Sequence, residues 1–473
     1  MTSFIRHRVR SRRLSDGSNL VVSETGDYAF LDDRDLEKLS NDPDGLSLSR
    51  QAELLSKFVI GRENTPGMRR LMKSRVAARQ GTITGGPKLH IIVPTLWCEH
   101  SCQYCQVSRA TNSNGHSMSE QDIDLVAESI LEAPGNDLTV EYQGGDPLLR
   151  FDLVERSMAK IAAGAVDAKK SIRFVVASTL HQLTPEMCGV LKQYGAVLST
   201  SIDGPARLHN GNRPIRGRDS YQRTIAGIEM ARAHMGHDVV AALMTTTRAS
   251  LSTPEDIVDE YVSIGMSEIS LRPQSPFGFA ALPKKSGGIT QSEYLSFYSR
   301  AFERVLYWNR RGVRIREGQA AIVFNKLLYP IDAGYVDLQS VNGGSGAVLV
   351  YNYDGFVYPS DEARMLAETG DTSLRLARIG ASLKDIVSSQ SMQMLRRAGS
   401  SEHNTTCSEC AYGLFCGPDP VMAIAQFGSQ DVPVERTNHC QRTLWLFDFL
   451  LSQFAASDSA TRSLFHQWAR PVP

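Results

Sequence analysis

From about residue 88 to residue 310 the chain alternates short apolar runs with stretches of helical periodicity, and no other feature narrows its fold as far. Lys88–Thr95 is apolar and β-branched and predicts a buried strand. Ser119 caps a helix that runs to about Ala133, and Leu138–Tyr142 predicts a second strand ending in Gly144-Gly145-Asp146-Pro147. A helix near 151–164, a strand at Ile172–Ser178 and a helix at Thr184–Tyr194, with Pro185 at its first position, follow. Val197–Ile202 predicts the next strand, ending in Asp203-Gly204-Pro205, then a helix at Ser220–Ala233. The pattern closes with strand Val239–Thr245, helix Pro254–Ile264, strand Glu268–Arg272 and helix Gln291–Arg310. Consecutive β/α units require a parallel sheet, and right-handed crossovers curl one of six strands into a partial (β/α)6 barrel within an α/β fold. In such folds the chemistry collects where strands end, and the motifs of this region follow strands. The plainer alternative is that strand-end Gly and Pro are turn residues only.

Residues 1–87 read as a separate small α+β module. Asn19–Val22 and Tyr28–Leu31 form a hairpin around Thr25-Gly26, two or three helices reach about Gln80, and Gln80–Pro87 is a linker. The alternation in Phe4–Arg10 fits an edge strand, although its arginines also suit an organelle transit peptide. The barrel occupies 88–310. Residues 311–473 form a third, Cys-rich piece with Gly/Ser-rich loops at 342–346 and 399–406. No apolar run approaches the ~18 residues of a membrane span. The 51 Lys+Arg balance 51 Asp+Glu, which argues against a nucleic-acid partner held by bulk charge.

Eight cysteines without an apolar signal segment argue for a reducing, cytoplasmic setting in which clustered thiols mean metal or catalysis. Cys98, Cys102 and Cys105 share one short loop in a C-x3-C-x2-C spacing. Three thiolates hold three irons of a cubane and leave the fourth open to an exogenous ligand. Zinc, with His100 or a distant residue as fourth ligand, is the alternative. Cys407, Cys410 and Cys416 form C-x2-C-x5-C, and Cys440 follows in a separate segment. Four thiolates complete a closed cubane or, equally on residue type, a structural zinc. Cys188 lies in a predicted helix and reads as a small buried hydrophobe.

The Cys loop directly after the first strand, with Tyr104 before the third Cys, resembles the radical S-adenosylmethionine (SAM) superfamily. Gly144-Gly145-Asp146-Pro147 is similar to that family's GGEP motif, with Asp in place of Glu. Ser201-Ile202-Asp203-Gly204-Pro205 followed by His209-Asn210-Gly211-Asn212-Arg213 resembles a stretch of its peptide-modifying branch. The resemblance implies a [4Fe–4S] cluster on Cys98, Cys102 and Cys105 whose open iron binds SAM and yields a 5′-deoxyadenosyl radical. It implies cofactor contacts at Gly144, Gly145, Asp146, Ser178, Ser201, Asp203 and Arg213: the methionine ammonium at the two glycines, the ribose and carboxylate at Ser201 and Arg213. Alternatives taken from the residues alone are turn formation for the glycines, a surface ion pair for Arg213 and a turn cap for Asp203.

The second Cys cluster resembles the SPASM auxiliary-cluster domain, which carries two auxiliary clusters. Here the family's Gly-x4-Cys reads Gly355-Phe356-Val357-Tyr358-Pro359-Ser360, and the other ligands of the inner cluster are missing too. The resemblance therefore implies one auxiliary [4Fe–4S] cluster, on Cys407, Cys410, Cys416 and Cys440. Asp361 matches a candidate catalytic base of sulfatase-maturing enzymes, against the plainer reading of a surface cap. The chain as a whole resembles the His-Xaa-Ser system radical SAM maturases, in the stretches near Ser23–Leu36, Leu89–Arg109, Leu271–Phe279 and Tyr351–Leu366. That implies a small ribosomal precursor peptide with His-Xaa-Ser repeats as substrate, a second radical SAM maturase as companion, and a flavodoxin- or ferredoxin-type reductant. The N-terminal module is then a candidate for peptide recognition by strand addition, or a stabilising cap. A radical enzyme on RNA or a small metabolite, and a non-catalytic zinc-binding protein, are the other classes the sequence leaves open.

Overall fold

The computed structural model describes residues 3–62, 65–79, 86–102, 104–278, 288–329 and 346–470. Most of the expected linker at 80–87, and all but residue 346 of the loop at 342–346, lie outside the described residues.

The chain opens with β1 (Ile5–Arg6), β2 (Val9–Arg13), β3 (Asn19–Ser23) and β4 (Tyr28–Leu31). β2, β3 and β4 form an antiparallel sheet with β3 central, so the hairpin read from the sequence is present. Its turn needs a left-handed residue, and Gly26 supplies it at φ 78°. The Phe4–Arg10 alternation divides in two, because β1 leaves this sheet to pair with β5 (Ile60–Gly61). α1 (Asp33–Asn41) and α2 (Leu48–Ser56) are capped by Asp32 and Ser47, whose side chains accept from Asp35 N and Arg50 N. They close over a core of Val21, Leu31, Leu39, Leu54 and Ile60. α3 (Pro66–Arg79) follows.

The barrel is built as β6 (Leu89–Thr95), α4 (Glu120–Leu131), β7 (Asp137–Gly144), α5 (Phe151–Asp167), β8 (Ser171–Ala177), α6 (Pro185–Gln193) and β9 (Val197–Ser201). Then come α7 (Ala206–Asn212), α8 (Ser220–Met235), β10 (Val240–Thr245) and α9 (Pro254–Ser263). The sixth strand is split into β11 (Glu268–Ile269) and β12 (Leu271–Arg272). At the break, the Ser270 carbonyl accepts from both Met244 N and Arg272 N. β12 stays on β10, while β11 pairs with β13 (Arg316–Glu317), on the far side of α10 (Gln291–Arg310). α11 (Gly318–Leu328) comes next.

Neighbouring strands in the order β6-β7-β8-β9-β10-β12 are parallel, giving the open, barrel-like α/β sheet that the alternation implied. Side chains alternate along it. In β7, Leu138, Val140 and Tyr142 are buried, while Thr139, Glu141 and Gln143 share the more open face. On its other edge the sheet continues through β14 (Val348–Tyr351), parallel to β6, and the antiparallel β15 (Phe356–Tyr358) and β16 (Ala377–Arg378). α12 (Asp361–Glu368), α13 (Leu383–Ser388) and α14 (Gln390–Ala398) follow from this hairpin. The chain finishes with α15 (Thr405–Glu409), α16 (Pro420–Phe427), α17 (Asn438–Ala456) and α18 (Ser459–Trp468).

Contacts group these elements into two compact units. One holds Gly85–Gln319 and Gly346–Gln393; the other holds Met1–Thr84, Ala320–Ser345 and Met394–Pro473. This grouping cuts across the contiguous ranges read from the sequence, since the N-terminal module and the Cys-rich C-terminal segment pack in one unit. No helix among the described residues is long and apolar enough to cross a membrane.

β14 is tied to β6 at a buried polar contact, His90 Nδ1 to Tyr351 Oη at 3.2 Å. Burial lowers the His90 pKa to about 4, so the folded protein keeps this ring neutral. The unfolded chain protonates it near pH 6.5, so its contribution is complete above ~6.5 and lost as pH falls towards 4. One such group gives a slope of about 1.4 kcal/mol per pH unit in that window. Denaturant unfolding of wild type and His90→Gln between pH 7 and pH 5 should show a flatter stability profile in the variant; equal slopes would contradict the assignment.

Candidate active site

β6 delivers the chain to the first Cys loop, and a set of backbone bonds folds that loop back on its own base. Leu96 N donates to His116 O, Ala110 N to Leu96 O and Cys98 N to Ala110 O. The loop is also sewn to the turn after β7, where Gly145 N donates to Thr95 O at 2.9 Å and Asp146 N to Trp97 O at 2.8 Å. Glycine is required for that seam: a Cβ on Gly145 would meet the Leu96 and Trp97 carbonyl oxygens at 2.2 Å. From the other end of the barrel, Gly278 packs against the loop, and a Cβ there would meet Gln106 O at 2.3 Å. The Pro273-Gln274-Ser275-Pro276-Phe277-Gly278 segment thus covers the loop, a role that only the resemblance marked.

The acidic residues expected at the cofactor are engaged with the protein itself. Asp146 is buried and accepts from Ser178 Oγ at 2.7 Å, Thr179 Oγ1 at 2.5 Å, and the amides of Leu148 and Thr179. Burial raises its pKa, and these donors oppose the rise. Asp146 and Ser178 therefore lock the β7 and β8 ends together. Asp203, fully buried after β9, accepts from Tyr104 Oη at 2.7 Å. Arg213 donates to the same phenol oxygen at 3.1 Å and lies 5.9 Å from the centroid of its ring. The Asp-Gly-Pro and Arg motifs thus grip Tyr104, the residue before Cys105. Burial works against the Arg213 charge, but Tyr104, Cys102, Asp203 and Cys98 around it raise its pKa. Ser201 ends β9, half-buried, on the face opposite Leu198 and Thr200.

A second grip was not legible in the sequence. His100, in the middle of the loop, places Nε2 3.0 Å from Ser220 Oγ, and His209 Nε2 lies 3.0 Å from the same oxygen. His209 Nδ1 accepts from Asp203 N, so its Nε2 carries the proton and donates to Ser220; the serine hydroxyl then donates to His100. Burial holds both rings neutral, His100 lowered to about 2 and His209 to about 3.

All eight cysteines are free. Burial, and then Asp146, raise the Cys98 thiol, and burial pushes Cys102 up to about 11. Such thiols become ligands when a cation's charge offsets their desolvation. Three free thiols on one loop, held by the ends of β6, β7 and β9, fit a cubane with a vacant iron. Among the described residues no three His, Cys, Asp or Glu side chains close around a single ion, as a zinc site with sulfurs at about 2.3 Å demands.

Cys188 is buried in α6 of the barrel, and Cys407, Cys410, Cys416 and Cys440 lie in the second unit. Cys407 and Cys440 each sit at the third position of a helix, and the side chains of Asn404 and Thr437 accept from their amides. Both cysteines therefore sit in the first turn of a helix. The loop between them is tight: Cys410 N donates to Cys407 O, and Gly413 approaches Cys407 O so closely that a Cβ would lie at 2.3 Å. His439 reaches Gly417 O at 3.1 Å, beside Cys416. Burial pushes Cys407 up to about 12 and raises Cys416 well above its ordinary value, with its sister thiols adding to the rise. Asp361 begins α12, and the fully buried Arg364 donates to its Oδ1 from Nε at 2.8 Å and Nη2 at 2.5 Å. Ser360, standing where the related domain has Cys, is that helix's N-cap, its hydroxyl accepting from Ala363 N.

Residues 92–261 match the Radical SAM superfamily. The barrel is a radical SAM domain, and the protein is a radical SAM enzyme, a class that works with S-adenosylmethionine and a [4Fe–4S] cluster. Within that class its fold is similar to anSMEcpe with bound AdoMet, at TM-score 0.64 and 16% identity over 78% of this chain and 98% of that one. It is also similar to Streptococcus suis SuiB bound to precursor peptide SuiA, at TM-score 0.55 and 14% identity over 92% of this chain and all of SuiB. In sequence it is 22% identical over 188 residues to the radical SAM cyclopropyl synthase TigE of Paramaledivibacter caminithermalis, covering 37% of this chain and 39% of TigE.

Tyr104→Phe removes the hydroxyl shared by Asp203 and Arg213 and leaves a buried carboxylate short of a donor, at a cost of about 1–3 kcal/mol. The variant should bind less iron per chain after anaerobic reconstitution and unfold at lower denaturant. Unchanged iron content and midpoint would show that the grip on Tyr104 does not hold the loop.

Proposed function

We propose that this enzyme is a peptide maturase that uses a 5′-deoxyadenosyl radical to modify a ribosomally made precursor peptide, and that His-Xaa-Ser repeats mark its substrate. The observation that carries this reading is the three-cysteine loop of the radical SAM barrel joined, in one chain, to a second four-cysteine site. The likeness to SuiB, a structure with its precursor peptide bound, supports a peptide partner.

Cys98, Cys102 and Cys105 would hold the SAM cluster. Bound there, it supplies the electron that splits the sulfur–carbon bond of SAM, and the cofactor carries the radical chemistry. The chain's own residues position and shield. Backbone groups at Gly144 and Gly145 would take the methionine ammonium, and Ser201, at the end of β9, would take the ribose. Arg213 supplies positive charge for the carboxylate while it keeps Tyr104 in place. Asp146, Ser178 and Asp203 act by positioning. Asp361 is the candidate base at the substrate, its carboxylate oriented by Arg364.

Cys407, Cys410, Cys416 and Cys440 would hold one auxiliary [4Fe–4S] cluster. The outer edges of the N-terminal sheet, β2 and β4, offer a place for a leader peptide added as a strand. A second radical SAM maturase, a flavodoxin- or ferredoxin-type reductant and a reducing cytoplasm complete the reading.

Anaerobically reconstituted protein should carry on the order of eight irons, bleach with dithionite and release 5′-deoxyadenosine from SAM. Substituting Cys98, Cys102 and Cys105 with Ala should halve the iron and abolish that release. Coexpression with a His-Xaa-Ser precursor peptide should change the peptide's mass only when the barrel cysteines are intact. A colourless zinc protein would overturn the enzyme reading of both cysteine sets, and an unchanged peptide beside active SAM cleavage would overturn the substrate alone.

A further inference from the structure

Three side chains from three remote parts of the sequence meet beside the four-cysteine site. Arg12, on β2, forms a two-pronged ion pair with Asp448 of α17, Nε to Oδ1 and Nη2 to Oδ2, both at 2.5 Å. The buried Tyr412, between Cys410 and Cys416, donates its hydroxyl to Asp448 Oδ1 at 2.7 Å. The Arg12 guanidinium also lies 5.8 Å from the centroid of the Tyr412 ring. One residue pair away on the same strand face, Arg10 Nε donates to Ser408 O at 2.6 Å, inside the Cys407–Cys410 turn.

The geometry joins two ligand segments that the sequence keeps apart. Cys407, Cys410 and Cys416 come from one loop, and Cys440 comes from α17, two turns before Asp448. Tyr412 ties the loop to that helix, the Tyr412 and Phe447 rings stack at 4.7 Å, and Arg12 closes the set. Side-chain exposure of the ion pair is 33% at Arg12 and 24% at Asp448, so solvent screens it only partly.

We propose that Arg12 and Asp448 are positioning residues of the four-cysteine site, and that their opposite charges offset one another at the iron–sulfur cluster held there, so that loss of either alone shifts its reduction potential. This rests on the reading that those cysteines hold an auxiliary cluster. A cluster gains negative charge on reduction, so a nearby cation favours the reduced form and a nearby anion opposes it. Arg12 reaches the site through Asp448 and the Tyr412 ring, and Arg10 reaches it at the Cys407–Cys410 turn. In the intact pair the two charges largely cancel.

The test is an electrochemical titration of the full-length holoenzyme followed by electron paramagnetic resonance, with added SAM marking the barrel cluster by its altered signal. Arg12→Gln leaves Asp448 unpaired and should move the other cluster to a more negative potential. Asp448→Asn leaves Arg12 unpaired and should move it to a less negative one. The double variant should return close to wild type, Arg12→Lys should stay close to it, and the barrel cluster should not move. Shifts of the same sign in both single variants, or no shift in either, would overturn the proposal in favour of a structural contact. If Arg12→Gln fails to retain the cluster, the sign of the Asp448→Asn shift decides alone. A wild-type protein with on the order of four irons and no second signal overturns the auxiliary-cluster reading itself, before any variant is made.

Discussion

The carboxylate of Asp203, buried and bonded to the Tyr104 hydroxyl, is the contact on which the barrel's chemistry rests. A loop of backbone between strands has no reason to hold three thiols in one geometry, because most of its conformations scatter them. Here Tyr104 is drawn to the end of β9, His100 to Ser220 at the start of α8, and the loop's base to the Gly144–Asp146 turn. The anchors lie beyond two strands, β7 and β9, so the parallel sheet lends its rigidity to the loop that carries the sulfurs. The motifs that looked like cofactor contacts are in large part the hands that hold the loop.

The two cysteine sites solve one electrostatic problem in two ways. Buried thiols resist ionisation, and burial raises Cys98 and Cys102 in the barrel as it raises Cys407 and Cys416 in the other unit. Near the barrel loop the compensating charge is one arginine, Arg213, placed among Tyr104, Cys102 and Asp203. At the four-cysteine site it is Arg12, which lowers the Cys440 thiol against burial. The three-cysteine and the four-cysteine sites thus differ in their protein surroundings as well as in their number of cysteines.

Local patterns made much of this legible. The strand–helix alternation gave β6 to β10 within a residue or two and their helices within three, apart from the short α7, which was not read, because period and caps are written in adjacent residues. The sixth strand read as continuous, yet it breaks at Ser270, where neighbours on two sides compete for one carbonyl. The cysteine spacings and the glycine turn after β7 were likewise visible. What stayed hidden was every long-range partner: the hydroxyl of Ser220 between two histidines, the arginines of β2 on a loop some 400 residues away, and the pairing of β14 with β6. Such contacts leave no local periodicity. Asp146 and Ser178 were visible as polar residues at strand ends, but only the fold shows that they bond to each other.

Sequence distance has a consequence for assembly. Arg12 and Asp448 are 436 positions apart, and the unit they share also takes in α11 from the middle of the chain. Its sheet cannot dock on α17 until translation has passed residue 448, whereas the barrel strands β6 to β12 are complete nearly two hundred residues earlier. Nascent chains should therefore mature in two stages, with the first metal loop enclosed while the second is still being synthesised. Contacts of such long range also fold slowly. During that interval Arg10 and Arg12 of β2 stand without the partners they have in the finished fold.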